Sequence, residues 1–144
     1  MAVEVKVLGM EEIVKKLKKL EPKLRNSILS GAIRAGAKLV ADEARLNVPV
    51  ESAHLKKSIL VRKRRSKDKT ILHFTVAPVT KIMHQFQDAN GEKHYNYGNI
   101  IEMGNSTHVA QPYMRPAFEN KGEESINETR KYMEKRFSKM VGEL

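Results

Sequence analysis

Residues 22–46 read PKLRNSILSGAIRAGAKLVADEARL, and this stretch sets the architecture of the chain. Leu24, Ile28, Ala32, Ala35 and Leu39 recur at helical spacing, and Leu29, Ile33, Gly36, Val40 and Ala44 form the adjacent row. Two neighbouring apolar rows make a broad buried face rather than a narrow stripe. Arg34, Lys38 and Arg45 fall on the far side, with Asp42 at the edge. Pro22 suits the first turn, where an amide would go unpaired anyway. Asn47-Val48-Pro49 ends the helix, because the residue before a proline disfavours helical backbone. Ala32, Ala35 and Gly36 are small and lie together, so another element can approach the backbone there. Gly36 costs a helix about 1 kcal/mol relative to Ala, which points to a packing reason for it, the alternative being a glycine tolerated in a helix held by tertiary contacts.

On the N-terminal side, Val3, Val5 and Val7 alternate with Glu4 and Lys6 and predict a short strand broken at Gly9. Met10 to Leu20 predicts an amphipathic helix with Ile13, Leu17 and Leu20 on one face. On the C-terminal side, residues 50–59 predict a turn approaching a strand. Ile59–Arg65 and Thr70–Val76 then predict an antiparallel hairpin. Leu72, Phe74 and Val76 face one way on its return strand, and Ile71, His73 and Thr75 the other. The segment from about 79 to 94 is polar and rich in turn residues, and it predicts a flexible loop. His94–Met103 predicts a short helix ended by Gly104, and Asn105–Gln111 a last strand or extended segment. A C-terminal helix follows over about 113–144, with Met114, Phe118, Ile126, Met133, Phe137, Met140 and Leu144 on one face. The expected fold class is α+β: a small antiparallel sheet of three to four strands packed against a long central helix and a long C-terminal helix. Residues 1–144 are expected to form a single domain.

The chain has 144 residues, 40% hydrophobic and 31% charged. That balance fits long solvated helices better than a compact enzyme. With no Cys, disulfides, zinc–thiolate sites and thiol catalysis are excluded. No apolar run is long enough to span a membrane, and the first residues lack the apolar core of a signal peptide. The net charge is +10, and it is uneven. Residues 1–70 carry 18 Lys/Arg and 8 Asp/Glu, whereas residues 71–144 carry 9 of each. Such an excess draws the protein toward anionic partners, although it also serves solubility.

No catalytic set emerges. The five His residues show no ligand spacing, and no nucleophile elbow or phosphate-binding glycine loop is present. His84 and His94 flank the loop and could join Glu102 at a metal, giving a weaker expectation of a metal-dependent enzyme, while the stronger one is five ordinary surface or loop histidines. No cofactor is expected. Arg62, Lys63, Arg64, Arg65, Lys67 and Lys69 place six cations within eight residues at the hairpin tip. A basic arm of this kind can hold phosphates without reading sequence, or meet an acidic protein partner. It lacks the aromatic side chains that stack on bases, and its charge also guards the hairpin against edge-to-edge aggregation. Glu102 can cap a helix start, pair with Arg115, or stay exposed. Pro112 and Pro116 each remove an amide and fix a φ angle, setting the passage from loop to final helix.

Four stretches together resemble the bacteriophage tail-completion, or minor tail component, family of long-tailed phages and prophages. This is the gene-product-ten-like family, with lambda tail protein Z as a distant relation. The long helix ends at Ala44-Arg45-Leu46-Asn47-Val48-Pro49. Ser52-Ala53-His54-Leu55-Lys56-Lys57-Ser58 is similar to the family's Thr-Gly-x-Leu-x-x-Ser, with Ala53 in place of the usual Gly. Tyr97-Gly98-Asn99-Ile100-Ile101-Glu102-Met103-Gly104 matches its aromatic-to-Gly element. Gln111-Pro112-Tyr113-Met114-Arg115-Pro116-Ala117-Phe118 matches its Pro-rich approach to the last helix. The resemblance implies a virion protein of the tail or neck, present in the host cytoplasm during assembly. It implies action in tail completion and head–tail joining as an oligomeric ring, six-fold being the natural symmetry. Its partners would be itself, neighbouring tail or connector proteins and packaged DNA touched non-specifically, with no membrane. Pro49, Leu55, Ser58, Tyr97, Glu102, Gly104, Pro112, Arg115 and Pro116 are the motif positions this resemblance singles out. The alternative is a non-specific DNA-binding protein that uses the basic hairpin.

Overall fold

The computed structural model describes residues 10–49, 53–79 and 97–142. In chain order these form α1 (Met10–Lys18), α2 (Pro22–Asn47), α3 (Ala53–Ser58), β1 (Ile59–Arg64), β2 (His73–Pro78), α4 (Tyr97–Met103) and α5 (Met114–Gly142). The class is α+β, with two long helices as expected. The sheet is smaller than expected. Among the described residues it has two strands, paired antiparallel from Ile59 opposite Pro78 to Arg64 opposite His73.

The strand expected at Val3–Val7 lies outside the described residues, as does most of the loop expected over 79–94. Of the strand or extended segment expected over 105–111, residues 105–108 form a turn held by its own side chain, and none of the segment joins the sheet. Asn105 Oδ1 accepts from the backbone N–H groups of Thr107 at 2.9 Å and His108 at 2.7 Å. The turn folds back so that Gln111 N donates to Ile101 O at 2.7 Å. An Asn side chain that closes a turn on itself takes those amides away from any ladder.

The approach to β1 also differs. Residues 53–58 form a helix rather than a turn. Leu55 and Ser58, three apart and therefore on one face, are both buried. The Ser58 hydroxyl donates to Leu55 O at 2.7 Å, which satisfies it in place.

α2 and α5 lie antiparallel, with Gly31 facing Tyr132 and Gly36 facing Ser125 and Thr129. Gly36 has the packing reason its position implied, since a Cβ there would collide with Thr129 Oγ1 and the Ser125 carbonyl. Two apolar clusters line the pair. One joins Val40, Ala41, Ala44, Val48, Leu55, Ile59, Tyr113 and Ala117. The other joins Ile13, Leu17, Ile28, Ala32, Met133 and Phe137, and so ties α1 to the far end of both long helices. Phe118, expected on the buried face of α5, is 61% exposed, and its neighbour Ala117 is fully buried in its place. Ala44 and Ala117 share the first cluster, and such small side chains let two helix backbones come close where a phenyl ring would hold them apart.

The hairpin lies along α2. Arg45 Nη2 donates to Ile59 O at 2.5 Å at the hairpin base, and Lys63 Nζ donates to Ser30 Oγ at 3.2 Å nearer the tip. The tip therefore points toward the N-terminal end of α2, where α1 and the C-terminal half of α5 also lie.

Candidate functional site

The sequence motifs from α4 onward converge on the start of α5. A helix leaves its first four backbone N–H groups without internal partners. Here the Glu102 carboxylate, reaching over from α4, accepts three of them: Tyr113 at 2.8 Å, Met114 at 2.9 Å and Arg115 at 3.0 Å. The fourth position is Pro116, which has no N–H to satisfy. Glu102 and Pro116 together leave no orphan donor in that opening turn. Of the roles open to Glu102 in the sequence, the cap is the one the structure adopts.

Burial works to raise the Glu102 pKa. The three amides of Met114, Tyr113 and Arg115 and the Arg115 charge outweigh it, so the carboxyl sits below its usual 4.5. The negative charge also lies at the positive end of the α5 dipole. Gly104 supplies the turn behind this cap. Its φ of +74° favours glycine, and an added Cβ would meet Ala110 N at 2.8 Å. Gly104 N donates to Ile100 O at 2.7 Å and closes α4.

Tyr113 fixes the junction from the inside. It is 1% exposed, and its hydroxyl donates to Gly98 O at 3.1 Å. Burial, followed by the nearby Glu102 charge, pushes its pKa far above the ordinary tyrosine value. An added Cβ at Gly98 would meet Pro78, the Tyr113 hydroxyl and Leu55, so α4, β2, α3 and α5 meet at one point. Asn47 Nδ2, at the end of α2, donates to Tyr113 O at 3.3 Å. Sequence reasoning missed the importance of Tyr113 and Gly98. The signal was an aromatic residue set between prolines and eleven positions after an acid, a spacing with meaning only once the 105–111 turn is known.

The motif positions thus divide. Glu102, Gly104, Arg115 and Pro116 form this clasp through side chain or backbone, and Pro112 stands exposed just ahead of it. Leu55 and Ser58 are core residues beside it. Pro49 follows the end of α2, where Val48 N donates to Ala44 O at 3.2 Å. Tyr97 opens α4.

The basic tip is a separate place. Arg62, Lys63, Arg64, Arg65, Lys67 and Lys69 are all exposed. Arg64 Nε reaches Thr75 Oγ1 at 3.4 Å, and no acid pairs with any of the six among the described residues. Asp68 instead shapes the turn, accepting from the Thr70 hydroxyl at 2.6 Å and its N–H at 2.8 Å. These two bonds hold its carboxyl below the usual range. Arg34 lies over the Phe74 ring at 6.0 Å, on the side of the hairpin facing α2.

His84 and His94 of the expected metal combination lie outside the described residues. The third member, Glu102, already has both oxygens engaged by α5. Among the described residues no group of three His, Asp or Glu side chains could hold a metal ion. No described helix is long and apolar enough to cross a membrane.

Residues 11–104 match the family described as "Bacteriophage HK97-gp10, putative tail-component". The chain belongs to this family of phage tail components. The match covers well over half of the chain and ends at Gly104, so it takes in Glu102 but stops before the helix that Glu102 caps. Comparisons with curated proteins and with solved structures returned no match.

Proposed function

We propose that this tail component is a structural virion protein that completes the tail of a long-tailed phage or prophage and joins it to the head, acting as a ring of identical copies. The observation that carries this reading is the family match over residues 11–104. The arrangement of the clasp supports it. Glu102, Pro116 and Tyr113 fix the angle at which a 29-residue helix leaves α4, and fixed helix angles are what repeated subunits need in order to close a ring. Leu46, Met103, Val109 and Phe118, at 73%, 76%, 86% and 61% exposure, offer apolar contacts to neighbouring copies or to other tail and connector proteins. Residues 1–144 act as one domain, and the protein works by docking rather than by chemistry. Its place is the tail or neck of the virion, and the host cytoplasm before assembly.

Deleting the gene from the phage or prophage that carries it is the direct test. Electron microscopy of the lysate is expected to show separate heads and tails, with joined particles restored by the gene supplied in trans. Normal joined virions from the deletion would overturn the proposal. Light scattering of the purified protein alone and with tails reads the ring mass.

A further inference from the structure

The fold concentrates the positive charge in a way the sequence order hides. α2 is about 39 Å long at the usual helical rise, and three separate segments gather at its N-terminal end. They are α1 with the start of α2 (residues 10–25), the hairpin tip (62–69) and the second half of α5 (129–142). Ile13, Leu17, Ile28, Met133 and Phe137 share one apolar cluster, and Lys63 bonds Ser30, which fixes all three to that end. Together they hold seventeen Lys/Arg and five Asp/Glu, a surplus of twelve. The opposite end (residues 39–49, 53–58 and 97–128) holds five Lys/Arg and seven Asp/Glu. The described residues are therefore strongly polarised along the helices.

We propose that this cationic end is a docking surface for the phosphate backbone of double-stranded DNA. The inference rests on the tail-component reading, in which packaged DNA is the polyanion at hand. Charge density selects the partner. A surplus of twelve at one end calls for a dense polyanion, and duplex DNA carries one negative charge per about 1.7 Å of axis. Among the described residues, a second copy of this chain offers no acidic surface to match it. The acids at its other end are few, Asp42 and Glu124 are already paired with Arg45 and Lys121, and Glu102 is committed to α5. The chemistry fits phosphates rather than bases. The aromatic residues near this end are turned to other uses, with Phe74 under Arg34, Tyr132 against Gly31 and Phe137 in the core. Among the described residues none is left to form a stacking platform.

The test is fluorescence anisotropy of the full-length protein with labelled 30-base-pair duplexes of two unrelated sequences, between 50 and 300 mM salt. Both duplexes are expected to bind alike, with log affinity falling linearly against log salt. Variants Arg64→Gln/Arg65→Gln/Lys67→Gln, Lys15→Gln/Lys16→Gln and Lys135→Gln/Lys139→Gln are each expected to flatten the slope, by about 0.9 for every phosphate contact removed. Every one of these side chains is exposed, so circular dichroism and melting should stay unchanged. Lys56→Gln/Lys57→Gln, at the other end, is expected to keep the native slope. Equal losses from that control would show that only net charge matters and would overturn the located surface. So would an unchanged slope in the three end variants. Failure to bind either duplex at 50 mM salt, with binding to a polyglutamate peptide instead, would assign the end to an acidic protein and overturn the DNA proposal. Separate heads and tails from the gene deletion, together with no duplex binding, would leave the tail reading standing and remove only this surface.

Discussion

At the residue scale, Glu102 carries the sharpest expectation. Its carboxylate accepts three amides of the helix it caps. Replacing a capping side chain by alanine costs about 0.5–2 kcal/mol, and Glu102→Ala should fall in the upper half of that range because three donors are left bare. Urea unfolding followed by circular dichroism measures it. Glu102→Gln keeps an oxygen but loses the charge, and it should cost less. The pH dependence has a defined sign. The folded pKa lies below 4.5, so the native state binds this proton less readily than the unfolded chain. The stabilisation is complete above about 4.5, the unfolded value, and is lost as pH falls through the folded value. The gap in stability between the native protein and Glu102→Gln should therefore be widest at pH 7 and close toward pH 3. A gap that is constant with pH would mean that the charge contributes nothing. Gly104→Ala forces a side chain into positive φ against Ala110 N, and it should cost about 1 kcal/mol or more through the same junction.

At the element scale, the glycines of the two long helices predict opposite outcomes for one substitution. Glycine to alanine in a helix gains about 1 kcal/mol where space is free. A Cβ at Gly122 meets nothing within 4 Å, so Gly122→Ala should raise the melting temperature by a few degrees. At Gly36 the same Cβ meets the Ser125 backbone carbonyl, which cannot rotate away. Overpacking of that kind costs about 1–3 kcal/mol and should exceed the propensity gain, so Gly36→Ala should melt earlier. Melting of the two variants side by side checks both signs. The long helices were legible because apolar periodicity repeats over many turns, and the notch at Gly36 could be read from its small neighbours. α3 was not legible, since six residues hold too little periodicity to separate a helix from a turn. The buried face of α5 was read one position off at its start. Periodicity places a stripe, but the close contact around Ala44 and Ala117 decides which residue of that stripe is nearest the partner helix. The cap joining Glu102 to Tyr113 was readable only as an option, because its geometry depends on a turn closed by Asn105.

At the scale of the whole molecule, the two ends of the bundle differ in kind. One is cationic, and the other combines the clasp with exposed apolar side chains. Met103 and Val109 flank the turn from α4, and Phe118 lies on the first turns of α5. All three are carried by the segments that Glu102 and the buried Tyr113 lock together, so their relative placement is set by the cap and by the core beneath it. An exposed side chain contributes little to the stability of an isolated chain, and Phe118→Ser should change unfolding free energy by no more than about 0.5 kcal/mol. If this end meets a neighbouring subunit, the same change removes a large apolar contact from the interface, where aromatic residues carry much of the binding energy. Phe118→Ser should then leave the melting curve of the purified protein in place and lower the yield of joined virions when it replaces the native gene. Glu102→Ala should lower both, because it disturbs the frame as well as the contact. A Phe118→Ser protein that melts as the native one does and assembles virions in full yield would move the neighbour to another face, and Leu46, near the far end of α2 and 73% exposed, is the next candidate by the same measure.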